Sequence, residues 1–304
     1  MRRNRMFTRF KPETIALAAI FLGLAASPST AKQLHAVASF SILADIVLHV
    51  GGEQVTVTSI VGPDEDSHVY EPKPQDAVAL AKADIVIING LGLESWLARL
   101  DQATSTKAKI VIASSGITPR KLEEDGQQVT DPHAWQSPAN GLIYARNVAD
   151  ALCQVDVEDC ESFRKNVESY GKEIKALDDN LHTRFAQIPE ARRQVITTHD
   201  AFAYFGEAYG VRFLAAEGMS TESEPSAAGL AKLVRQIKQS QSSALFLENM
   251  SDPRLIEQIA NETGVKPGGT LFADALSKPG EGGANYLEMI KHNAELLIAA
   301  MAGS

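Results

Sequence analysis

The chain has 304 residues, 44% of them hydrophobic and 22% charged, with a formal net charge of −9. That length holds one large domain or two of moderate size. An acidic balance of this size argues against nucleic acid and anionic lipid as partners.

The first residues read as a targeting segment. Arg2, Arg3, Arg5, Arg9 and Lys11 precede an apolar run over residues 15–26 that is short for a bilayer span. Ser29-Thr30-Ala31 supplies small residues at cleavage positions, so residues 1–31 are expected to be a cleavable signal peptide. The mature chain is then exported, soluble and periplasmic. No cysteine lies in this segment, which speaks against a lipoprotein. Because the segment carries five bases and one acid, its removal takes the formal charge to −13.

Residues 34–40 then read as a strand, 41–50 as an amphipathic helix and 54–61 as a β-branched strand ending at Gly62-Pro63. A loop over 64–73 leads into a helix that Pro74 can start and that runs to Lys82. Residues 84–89 (DIVIIN) and 109–113 are short apolar runs suited to buried parallel strands, with a helix expected over 92–100. A polar stretch over 114–130 precedes Asp131-Pro132-His133-Ala134-Trp135. There the proline stiffens a loop just ahead of a helix over 139–152.

Cys153 and Cys160 flank a polar break between two helical patterns. In an oxidising compartment they are expected to form a local disulfide worth roughly 2.5 kcal/mol; a pair of free thiols is the alternative. Residues 161–187 follow as one long helical pattern whose only weak point is Gly171. Strands over 194–198, 211–215, 244–248 and 269–273 then alternate with helices over 201–209, 227–239, 253–263 and 286–301.

Strand–helix alternation on either side of one long helix implies an α/β fold. Two pseudo-symmetric lobes, each with a parallel sheet flanked by helices, are bridged by a spine helix. The expected divisions are an N-terminal lobe over 32–158, the spine over 159–190 and a C-terminal lobe over 191–304. A continuous helix offers no easy place for large dihedral changes, so a wide hinge is not expected.

Four candidate metal ligands share one topological address. His68, His133, His199 and Asp274 each come after a strand, and open parallel sheets bind ligands beyond the carboxyl ends of their strands. All four can therefore meet in the cleft between lobes. Three imidazoles and one carboxylate suit a borderline divalent ion, zinc ahead of manganese, which prefers oxygen donors. His35, His49, His182 and His292 lie in strand or helical patterns and are expected to pack or face water. With imidazole pKa values near 6.5, metal affinity is expected to fall steeply between roughly pH 7 and pH 5.

Gly62-Pro63, His68-Val69-Tyr70-Glu71-Pro72, Asp131-Pro132-His133-Ala134-Trp135, Thr198-His199-Asp200-Ala201-Phe202 and Asp274 occur in this order. Together they resemble the periplasmic zinc- and manganese-binding receptors of ABC importers, over essentially the whole mature chain. The resemblance implies a metal in the interlobe cleft held by His68, His133, His199 and Asp274, delivered to a membrane permease by a monomeric receptor. Manganese members of that family typically have a glutamate where this chain has His199, which points to the zinc branch. Many zinc members carry a histidine-rich loop ahead of the second histidine, whereas residues 114–130 contain none. The rival class, a secreted zinc hydrolase, would want an open metal position and a general base. No HExxH is present to supply one. An adhesin of the same fold is a third reading.

Overall fold

A computed structural model describes residue 1 and residues 33–104, 106–124, 127–221, 227–239 and 244–303. The expected signal peptide lies outside the described residues. In the N-terminal half, β1 (Leu34–Phe40), α1 (Ser41–Gly51), β2 (Val55–Val61), α2 (Pro74–Lys82), β3 (Ile85–Ile88), α3 (Leu97–Thr104) and β4 (Lys109–Ile112) alternate as the sequence pattern demands. The hairpin β5 (Lys121–Glu124) and β6 (Gln127–Thr130) and the helix α4 (Pro138–Val155) follow. After α5 (Cys160–Ala186) come β7 (Gln194–Thr197), α6 (Ala203–Tyr209), β8 (Arg212–Ala215), α7 (Ala227–Gln239), β9 (Ala244–Glu248), α8 (Pro253–Thr263), β10 (Pro267–Leu271) and α9 (Tyr286–Gly303).

The two main sheets repeat one topology. The first has the order β2-β1-β3-β4, and the second, read from its other edge, the order β8-β7-β9-β10. Every pairing within them is parallel, from Leu34 opposite Val55 to Thr197 opposite Ala215. In both halves the chain starts in the middle, moves to one edge, then crosses back past the first strand. Helices cover the faces, so the central strands are apolar on both sides, as Val37, Ile87, Val195 and Leu245 show by their complete burial.

α5 is one unbroken 27-residue helix, about 40 Å at the standard rise. It packs on α1 and α4 of the first lobe and on α6 and α9. Its buried stripe is Phe163, Tyr170, Ile174, Leu181 and Phe185, the apolar face of the sequence pattern. Cys153 and Cys160 are bonded across the turn that joins α4 to α5. His49, on α1, stacks on Tyr170 at 4.5 Å between ring centroids, and its hydrogen bond to Asp45 holds its pKa up at about 9.

Three departures from the sequence expectation bear on the candidate site. The helix expected from residue 92 begins only at Leu97. Gly90, Leu91 and Gly92 have φ of 79°, 57° and 92°, left-handed values that no right-handed helix accepts. The Glu94 carboxylate holds that turn by accepting the backbone N–H of Asn89 and of Gly90. The polar stretch after residue 114 contains the antiparallel β5–β6 hairpin, with Lys121 opposite Thr130. The last strand ends at Leu271, not 273, so Asp274 stands on the loop beyond it.

The lobes are joined by more than the spine. Trp135 Nε1 and Gln136 Nε2 both donate to Ala273 O, at 2.9 and 2.7 Å. Ser41 Oγ accepts Leu276 N at 3.0 Å, and Asn249 Nδ2 donates to Asp64 Oδ1 at 2.9 Å. The buried Tyr286 of α9 donates its hydroxyl to Trp135 O at 2.7 Å, while its own N–H reaches Asp45 Oδ2 at 2.9 Å. Gly141 on α4 makes room for that phenol, since a Cβ there would overlap the ring. Gly141→Ala is therefore expected to destabilise the fold by about 1–3 kcal/mol, the usual cost of overpacking a rigid site. Denaturant titration checks this, and a midpoint equal to the parent's would show that the α4–α9 contact is slack.

Candidate metal centre

Each of the four expected residues is placed by a local device. His68 lies on the loop between β2 and α2, where its N–H donates to Asp66 Oδ1 at 2.8 Å and Trp96 Nε1 donates to the neighbouring Ser67 O at 3.1 Å. The far end of that loop is fixed at the start of α2, where Asp76 accepts from the Tyr70 hydroxyl and from Lys73 N. His133 is set by Asp131, whose Oδ1 takes both its backbone N–H, at 3.0 Å, and its ring Nδ1, at 2.8 Å. Pro132 between them keeps the segment extended enough for this, and Asn89 Nδ2 caps Pro132 O at 3.0 Å.

His199 comes two residues after β7. Glu248, at the end of the adjacent strand β9, accepts the N–H of Thr198 and of His199 through Oε1 and bonds the His199 ring at Nδ1 through Oε2. Asp274 follows β10. Asn293 of α9 brackets Phe272, accepting its N–H at 2.8 Å and donating to its carbonyl at 2.7 Å, while Trp135 and Gln136 hold Ala273 O.

These devices bring all four side chains together. One donor atom from each of His68, His133, His199 and Asp274 falls within 4.8 Å of the others. His68 Nε2 is 3.1 Å from His133 Nε2 and 3.2 Å from Asp274 Oδ2. His133 Nε2 is 3.5 Å from Asp274 Oδ1, and His199 Nε2 is 3.2 Å from Asp274 Oδ2. The edge of a tetrahedron with bonds of about 2.05 Å is about 3.3 Å, close to these four separations, with Asp274 meeting His133 through Oδ1 and the other two rings through Oδ2.

The site is dry. His133, His199 and Asp274 are 0% exposed and His68 is 8% exposed. His199 Nε2 and both carboxylate oxygens of Asp274 are buried and, among the described residues, face only one another and the other clustered rings. Buried polar atoms left unpaired cost free energy unless something compensates them, and a cation between them does so. The electrostatics point the same way. Burial alone would lower the His199 pKa, but the charges of Glu248 and Asp274 outweigh it and hold the imidazole well above its ordinary value. Burial would raise the Asp274 pKa, but the facing histidines His199 and His133 hold it well below the usual carboxylate range. The cluster thus favours positive charge at its centre.

The remaining histidines have other roles. His35 Nδ1 meets Thr56 Oγ1 at 3.2 Å, His182 packs on the Tyr209 ring, and His292 Nε2 meets Thr270 O at 3.0 Å. Glu248 and Asn293 were not singled out by the sequence reading. Glu248 ends the apolar run Ala-Leu-Phe-Leu-Glu, so an acid at the carboxyl end of a buried strand was the available signal.

Residues 36–300 match the family described as zinc-uptake complex component A, periplasmic. The manganese-binding lipoprotein MntA of Halalkalibacterium halodurans is 34% identical over 270 residues, which is 88% of this chain and 89% of that protein. The iron ABC transporter substrate-binding lipoprotein MtsA of Streptococcus pyogenes is 33% identical over 301 residues, covering 94% and 96%. Among solved structures, the periplasmic zinc-binding protein TroA of Treponema pallidum aligns with a TM-score of 0.83 at 27% identity, covering 88% of this chain and 99% of that one. The three relatives are named for three different metals.

Proposed function

We propose, because the chain belongs to the family of periplasmic zinc-uptake complex component A proteins, that it captures zinc outside the cytoplasm and hands it to an ABC-type permease. The chain is a substrate-binding protein of a metal ABC transporter and not an enzyme. His68, His133, His199 and Asp274 are the proposed ligands, acting in a monomer exported with residues 1–31 as its cleaved signal.

One observation carries this reading: a buried cluster of three imidazoles and one carboxylate whose Asp274 oxygens and His199 Nε2 have no other partner. Nitrogen-rich, four-donor sites favour zinc over manganese by intrinsic affinity order. Asp131 and Glu248 support the choice, since a carboxylate behind an imidazole fixes its tautomer and strengthens it as a donor. Manganese is the second reading, favoured by the manganese-binding relative at 34% identity.

Competition dialysis of the periplasm-made protein against equimolar zinc and manganese tests the proposal. One zinc per chain is expected, on a protein whose intact mass lacks residues 1–31. Retention of manganese over zinc would overturn the metal assignment, and no bound metal of either kind would overturn the receptor reading.

A further inference from the structure

The four clustered residues are not equally reachable. His68 alone is in contact with solvent, and it lines a cavity of about 630 Å³ whose walls include Leu91, Ser95, Val129, Thr130 and Met219. The lining contains none of the other three. One rim of the cavity is the left-handed Gly90-Leu91-Gly92 turn clamped by Glu94, so that wall is stiff.

The three rings are also held unequally. Asp131 bonds the Nδ1 of His133 and Glu248 that of His199. Among the described residues none bonds the Nδ1 of His68, whose segment is anchored through its backbone to Asp66 and Trp96. A hydrated ion entering such a site must exchange its waters one at a time for protein donors. A ring with a solvent face, held at Nε2 but by none of the described residues at Nδ1, is the least constrained of the three, whereas carboxylates fix the other two.

A second cavity, about 490 Å³, is lined by Asp66, Glu217, Asp252 and Arg254, the last two paired with each other, and none of the four residues lines it. Asp66 is tied there to Thr221 Oγ1 at 2.7 Å. An acidic lining without access to the cluster does not make a route.

We propose that the metal reaches and leaves the cluster through the cavity lined by His68, and that His68 is the first donor it meets and the last it leaves. The proposal rests on the receptor reading above. Ser95→Trp and Val129→Trp narrow this cavity from two different walls, and Gln258→Trp narrows the acidic one. The experiment measures zinc association by stopped flow and zinc release to a chelator, on the full chain of each variant.

For Ser95→Trp and Val129→Trp, both rates are expected to fall by about tenfold or more while their ratio, the equilibrium affinity, stays near the parent's. Gln258→Trp should exchange zinc at parental rates. Parental rates in both of the first two variants would overturn the route, as would weakened affinity without slower association, or slowing confined to Gln258→Trp. Should one indole prevent folding, the other carries the test. A parent protein that binds no metal would instead refute the receptor reading, an outcome distinct from a parent that binds and variants that exchange freely.

Discussion

Asp274→Ala is expected to weaken zinc binding by about two decades or more. Structural zinc sites with four donors bind with roughly 10–16 kcal/mol, so one donor in four accounts for about 3 kcal/mol, near two decades. Asp274 is also the only anionic group among the proposed ligands, and it lies within 3.5 Å of all three imidazoles. Asp274→Asn separates charge from shape, because it keeps an oxygen donor in the same volume. Titration against a chelator of known affinity measures both variants. Near-parental affinity in Asp274→Ala would remove Asp274 from the ligand set and with it the four-donor site.

The second large effect is on pH. Unperturbed imidazoles would confine the loss of affinity to roughly pH 7 to pH 5. The structure moves part of that window upward, because Glu248 and Asp274 hold the His199 pKa well above its ordinary value despite burial. On the proposed ligand set, an imidazole held in its charged form must give up its proton before it can bind the metal. Binding at neutral pH is expected to release about one proton from this ring, and affinity to keep rising with pH beyond 7 by about one decade per unit. His199→Ala should lose affinity and that slope together. Proton release followed in weakly buffered indicator dye tests this; zinc binding at pH 7.5 with no release would refute it.

The same shift has a defined sign for the stability of the metal-free fold. A raised imidazole pKa contributes stability that is fully present below about 6.5 and is lost as pH rises through the raised folded value. Asp274, depressed, contributes in the opposite sense. Its share is present above about 3.9 and is lost as pH falls through its lowered value.

Much of the centre was legible in the sequence because strand ends are legible. A β-branched run closed by a turn signal locates the carboxyl end of a strand, and His68, His199 and Asp274 each follow one, whereas His133, expected after the strand ending near residue 113, instead follows the β5–β6 hairpin. Glu248 has the same address, but its partnership with His199 depends on β9 lying beside β7, a neighbour relation set by a crossover that periodicity does not encode. The Asp131–His133 bond was on the page as adjacent letters, yet only the backbone around Pro132 shows that one oxygen serves both N–H groups of His133. The late start of α3 turns on Leu91, a residue whose left-handed backbone nothing in its side chain announces. The β5–β6 hairpin is polar on both strands and leaves no alternation to detect. Bonds such as Trp135 to Ala273, 138 residues apart, belong to the packing of one lobe on the other and have no local signature.

Those cross-lobe bonds decide what kind of message this receptor can send. Trp135, Gln136, Ser41, Asn249 and Tyr286 stitch the lobes through contacts beside the proposed ligands His68, His133 and Asp274. A molecule stitched in this way is expected to change its outline little on loading, which scattering profiles of the metal-free and metal-loaded protein would check. What does change is the electrical content of the cleft. Exchanging one proton for a divalent ion leaves the interior about one positive unit richer, in surroundings that screen it less than water would. That change of charge is what a membrane partner is expected to meet when it docks on a full receptor rather than an empty one.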